Sequence, residues 1–155
     1  MFKNDGKHPL ATAPGILALA AWSMYVLGGG YLYYPAFLAS VLIAGFFGLV
    51  ACVAVIANFK YWRSAVVLAS SVYLVLYVIK VIRMTGMTAD TPFLSAISFY
   101  YGALWQVGLA MFQERGYAGG LTQGFLEYVM PVLVIALIPI VLVSRRPKPG
   151  DSRTG

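Results

Sequence analysis

Apolar residues fall into four long runs separated by short stretches rich in polar, aromatic or glycine residues. Alternation with period two is absent, so the runs predict helices rather than strands. A helix that crosses a bilayer needs about 20 mostly apolar residues, because each adds about 1.5 Å against a core of about 30 Å. The first run covers residues 14–33, with Pro14 at a favourable first helical position. Gly28, Gly29 and Gly30 loosen its far end, and Tyr31, Tyr33 and Tyr34 form an interfacial aromatic group. Pro35 opens the second run, residues 35–57. A turn over Asn58 to Arg63 supplies aromatic and cationic anchors before the third run, residues 63–83. The last run, residues 122–143, stops at Arg145, Arg146 and Pro147.

Residues 92–112 are harder to place. The segment is uncharged, and Asp90 or Thr91 can cap it ahead of Pro92. Ser95, Ser98, Gly102 and Gln106 recur at helical spacing as one polar stripe, opposite Ile97, Tyr101, Leu104 and Met111. It lies in the interface, re-enters, or spans as a fifth helix with its stripe against other helices. Charge counting favours a non-crossing segment. Both termini and the 58–63 turn then share a side holding Lys3, Lys7, Lys60, Arg63, Arg145, Arg146, Lys148 and Arg153. The other side holds Lys80, Arg83 and Arg115, a split of 8 to 3; a crossing segment would make it 6 to 5. Lys80 and Glu127 point the same way. Each lies about one turn inside its run, and only a non-crossing segment puts them at similar depth, where they can pair.

The expected fold is therefore an all-α integral membrane protein. It is a four-transmembrane-helix bundle plus one further hydrophobic helix, 92–112, in a single membrane domain spanning 1–155 with polar tails at 1–7 and 147–155.

Composition agrees. Of 155 residues, 61% are hydrophobic and 10% charged, with mean hydropathy +0.81. Too few charges remain to cover a water-facing surface, which excludes a soluble enzyme, a disordered chain and a nucleic-acid module. The net charge of +6 comes from basic residues at the ends of apolar runs, so it orients helices and meets anionic headgroups. No nucleic-acid partner is expected. The opening residues imitate a signal peptide, with Ala18-Leu19-Ala20 as a cleavage-like site, but the apolar run continues through Trp22, Met24 and Leu27 and reads as an uncleaved span.

Candidate chemistry is sparse. The single cysteine, Cys52, and single histidine, His8, lie far apart, which gives no disulfide, metal site or catalytic base. Ser40, Ala44, Gly48 and Cys52 make a small-residue row that suits close helix packing. Trp22 and Trp105, both within apolar segments, are expected to pack on glycine-lined surfaces or to stack on a flat apolar ligand. Pro131 and Pro139 should bend the last helix.

Ser70, Tyr73, Tyr77 and Lys80 fall within an arc of about 80° on the third helix. Lipid offers these groups no partner, so the stripe should face protein or a wet cavity. It forms either an internal hydrogen-bonded face or, with Arg83, Glu127 and Trp105, the wall of a site for an amphipathic molecule. Glu127 is expected to pair with Lys80, Arg83 or Arg115, or else to handle a proton.

The leading expectation is a small non-catalytic membrane subunit or accessory protein that packs against other membrane protein subunits. The alternative is a carrier for a lipophilic molecule such as a quinone, pigment or lipid, and a third reading is an enzyme acting on a lipid-soluble substrate. The expected location is the plasma membrane, as in a bacterial inner membrane, with both termini cytoplasmic. No cofactor is evident beyond a bound lipid or quinone.

Overall fold

The computed structural model describes residues 8–29, 38–86 and 93–144, and every element among them is helical. A short 3-10 turn, Pro9–Ala11, leads into α1, Ala13–Gly28. Thr12 caps α1 by accepting from the Gly15 amide (3.3 Å), and Pro14 occupies the first turn. Helix α2 is Leu38–Ile56 and α3 is Trp62–Thr85. Gly86 closes α3 in the left-handed conformation (φ 60°), donating its amide to the Ile82 carbonyl. Helix α4, Phe93–Gly124, is broken at Gly116 and continues through a π-helical turn, Phe125–Val129, into α5, Met130–Val143.

Leu38–Ile56, Trp62–Thr85 and Gly116–Val143 are long and apolar enough to cross a membrane, whereas α1 is apolar but shorter. Of the expected first span, residues 30–33 lie outside the described residues, as do Tyr34, Pro35, Asp90 and both tails. The last helix is longer than the 122–143 run. It begins at Gly116 and so carries six residues more, 116–121.

Helices α1, α2, α3 and α5 enclose one core. Trp62, Val66, Ala69 and Tyr73 of α3 are buried at spacings of four and three, as are Met130, Val134, Leu137 and Val141 of α5. These rows form seams where side chains of neighbouring helices interdigitate. The small-residue row of α2 serves packing within the bundle. Ala44, Gly48 and Cys52 are buried, and a Cβ on Gly48 would collide with the Trp22 indole. Phe46, Leu49, Val53, Val75, Ile135 and Val143 point outward and are exposed. A surface this apolar suits lipid as the surrounding solvent.

The part of α4 before Gly116 folds back along the part after it. Tyr100 and Tyr101 lie beside Glu127 and Tyr128, while Phe112 lies against Gly120 and Tyr117. The two arms are thus an antiparallel hairpin with its corner at Gly116. Its polar stripe does not pack against other helices. Ser95, Ser98, Gly102 and Gln106 are all exposed, and the tyrosine face turns inward instead. The reason is local: Tyr100 and Tyr101 reach polar partners on the bundle that short serine side chains cannot. The side chains of Ile97, Leu104 and Met111 lie outside the described residues.

Candidate functional site

The polar residues of the interior gather at one end of the bundle. Successive helical spacings of three and four put Ser70, Tyr73, Tyr77 and Lys80 on one face of α3. Glu127 comes from the π turn. Pro131 has no amide hydrogen to offer the Glu127 carbonyl, and its ring would crowd that carbonyl in a regular helix. The chain accommodates this by widening, so that the Met130 amide donates to the Phe125 carbonyl five residues back. The expected bend at Pro131 therefore takes the form of a π turn, and the carboxylate sits within it.

Lys80 and Glu127 form an ion pair through Nζ and Oε1, with side chains 12% and 3% exposed. The Gln123 amide also donates to Oε1 (3.5 Å), and the Tyr100 hydroxyl donates to Oε2 (3.1 Å). One carboxylate thus receives donors from α3 and from both arms of the hairpin. A buried charge with this many partners is compatible with a dry interior, where an unpaired one would be strongly disfavoured.

Aromatic rings surround the pair. Tyr73 donates to the Leu126 carbonyl (3.4 Å), a group at the π turn. Tyr77 and Tyr101 share a hydroxyl–hydroxyl hydrogen bond of 3.3 Å, and Tyr128 donates to the Tyr101 carbonyl (3.3 Å). Ring contacts run without a gap from Trp22 and Tyr25 through Tyr73, Tyr77, Tyr100 and Tyr101 to Tyr128, with centroids 5.3–6.1 Å apart. The Lys80 ammonium also lies 6.0 Å from the Tyr100 ring centre.

The space left beside the pair is small. A cavity of about 40 Å³ is lined by Tyr25, Ser40, Tyr73, Tyr77, Lys80 and Glu127, among others. That volume accommodates water but not a ring or a lipid headgroup. A second, apolar groove of about 390 Å³ runs between the hairpin arms, lined by Trp105, Leu109, Phe112, Leu121, Phe125 and Tyr128 together with Gly120 and Gly124.

Five of the seven residues singled out from sequence, Ser70, Tyr73, Tyr77, Lys80 and Glu127, are on the inward face. Ser70 is fully buried one turn below Tyr73, and its hydroxyl has no hydrogen-bond partner among the described residues. Arg83 is exposed rather than turned toward the pair. Trp105 is 66% exposed and belongs to the groove. Of the three cations considered for Glu127, Lys80 takes the place, and the side chain of Arg115 lies outside the described residues. Trp22 packs on Gly48, the glycine-lined surface expected of it.

Sequence reasoning missed Tyr25, Tyr100, Tyr101, Gln123 and Tyr128. Gln123 was accessible from its position four residues before Glu127, a spacing that favours contact on a helix. The tyrosines of α4 carried no such signal, because their place depends on the corner at Gly116. Comparison of the chain with protein-family models, curated proteins and solved structures gives no match.

Proposed function

We propose that this chain is a non-catalytic integral membrane subunit or accessory protein. It lies in a plasma membrane, crosses it four times, and has both termini on the cytoplasmic side. One observation carries the functional reading. The only charged cluster inside the described bundle is satisfied by the chain's own side chains, with space for water alone beside it. A catalytic site would need room for a substrate at its acid or base. The outer faces, by contrast, are broad and apolar, as surfaces that meet lipid or neighbouring helices are.

The topology is supported by the 8-to-3 distribution of cations and by the meeting of Lys80, near the end of α3, with Glu127, just before α5. In this arrangement the 93–115 arm enters and leaves on one side, and α1 supplies the fourth crossing.

Native mass spectrometry after gentle extraction at natural expression level tests the role. Co-purification with other chains at fixed stoichiometry is the expected result; a monomer or homo-oligomer would overturn it. A second reading is favoured by the hairpin groove, whose volume lies in the range of small-molecule sites. In that reading the chain carries a quinone, pigment or lipid chain against Trp105, and the same spectrum would show the excess mass.

A further inference from the structure

The hairpin arm 93–115 is attached to the bundle in an unusual way. At its corner, Gly116 adopts φ 69° and ψ −168°, a conformation open essentially to glycine alone. Beside the corner, the Phe112 ring lies on Gly120 and edge-on to Tyr117, with centroids 5.6 Å apart. Fifteen or so residues away, polar contacts fasten the arm to the bundle. Tyr100 donates to Glu127, Tyr101 shares a hydrogen bond with Tyr77, and Tyr128 donates to the Tyr101 carbonyl.

Between these two attachments a groove of about 390 Å³ opens along the hairpin, and a Cβ on Gly124 would meet no atom within 4 Å. Leu94, Phe99 and Gln106 on the outer side of the arm are exposed. Among the described side chains of the arm only Tyr100 is buried, whereas Met130, Val134, Leu137 and Val141 of α5 are all completely buried. Elements with few buried contacts open at a much lower free energy than the core they rest on.

We propose that the 93–115 arm is a hinged cover, pivoting at Gly116 and latched by Tyr100 and Tyr101, that closes over the Lys80–Glu127 pair. In the closed state, the one seen here, Tyr100 seals the carboxylate. Opening breaks the three tyrosine hydrogen bonds and leaves the ion pair on the bundle. The pair then faces whatever occupies the vacated space, lipid, water or a neighbouring chain. A swing of about 20° carries residue 94 about 11 Å, given about 1.5 Å of rise for each residue between it and the pivot.

Pulsed electron-spin resonance on the full chain in lipid nanodiscs tests it, in a Cys52→Ala background. Spin labels at Leu94 and Val78, both exposed, read the cover against α3. Labels at Leu68 and Ile135, also exposed, read α3 against α5 as a reference. The expected result is a short and a long distance for the first pair and one unchanged distance for the second. Tyr100→Phe removes one latch and should raise the long-to-short ratio about fivefold, the effect of one ordinary hydrogen bond. Gly116→Ala should abolish the short distance, because alanine does not hold that backbone conformation. A single cover distance unchanged by Tyr100→Phe overturns the proposal. So does a short distance that survives Gly116→Ala, or a reference distance that moves along with the cover.

Discussion

Glu127 draws on more of the molecule than any other single side chain described above. Replacing it by glutamine keeps the size but leaves the Lys80 ammonium without its counter-ion in a mostly buried position. Breaking such a pair from one side costs about 3–5 kcal/mol in a full interior, and somewhat less near the end of a helix. We expect Glu127→Gln to destabilise the bundle by about 2–3 kcal/mol, and Lys80→Met combined with it to recover most of that loss. Unfolding in mixed micelles of increasing denaturing detergent measures both. At the other end of the size scale, Gly48 has no room for a methyl group beside Trp22. Gly48→Ala should cost about 1–3 kcal/mol through overpacking, seen in the same unfolding curves. The Lys80–Glu127 partnership was legible in the sequence, because two opposite charges at matched depth in apolar runs have few other ways to be satisfied. The Tyr100 hydroxyl was not, since nothing in its neighbours distinguishes a tyrosine facing the bundle from one facing the interface.

At the level of elements, the π turn is the feature that aims Glu127. With alanine at position 131 a regular helix becomes available, which would rotate residues on one side of the turn by about 100° relative to the other. Pro131→Ala should therefore uncouple Glu127 from Lys80. In that background the double-mutant coupling between the two residues, read from unfolding curves, falls toward zero. The prediction fails if the coupling is the same with either residue at 131. Helix content was readable from the apolar runs because membrane length and hydropathy leave few choices. The hairpin was not, because Gly116, Gly119, Gly120 and Gly124 crowd one stretch and no residue marks Gly116 as the turning point. The polar stripe of 95–106 misled for a related reason: helical spacing tells which residues share a face, not which face the tertiary structure buries.

For the whole molecule, the four-crossing arrangement has a direct test. Single cysteines at Thr88, Gln113 and Ser152, each in the Cys52→Ala background, are labelled with a membrane-impermeant maleimide from either side. Thr88 and Gln113 should react from one side and Ser152 from the other. Ser152 reacting from the same side as Thr88, with Gln113 alone on the other, would mean that the 93–115 arm crosses. Run lengths pointed to four crossings, and three of the described helices are long and apolar enough to make one; the direction rests on cation counts, which the labelling tests. What arithmetic could not supply was the way one long helix, Gly116–Val143, serves both the hairpin and the core.

The lone thiol has a practical consequence. Cys52 is 7% exposed at the contact between α1 and α2, 3.8 Å from the Ser23 hydroxyl. An untouched native chain therefore carries its own stopwatch. The thiol should be slow to alkylate while α1 and α2 stay together and quick once they part. The rate at which a small neutral maleimide consumes it, followed over temperature, would report the lifetime of the assembled bundle without any substitution or attached dye.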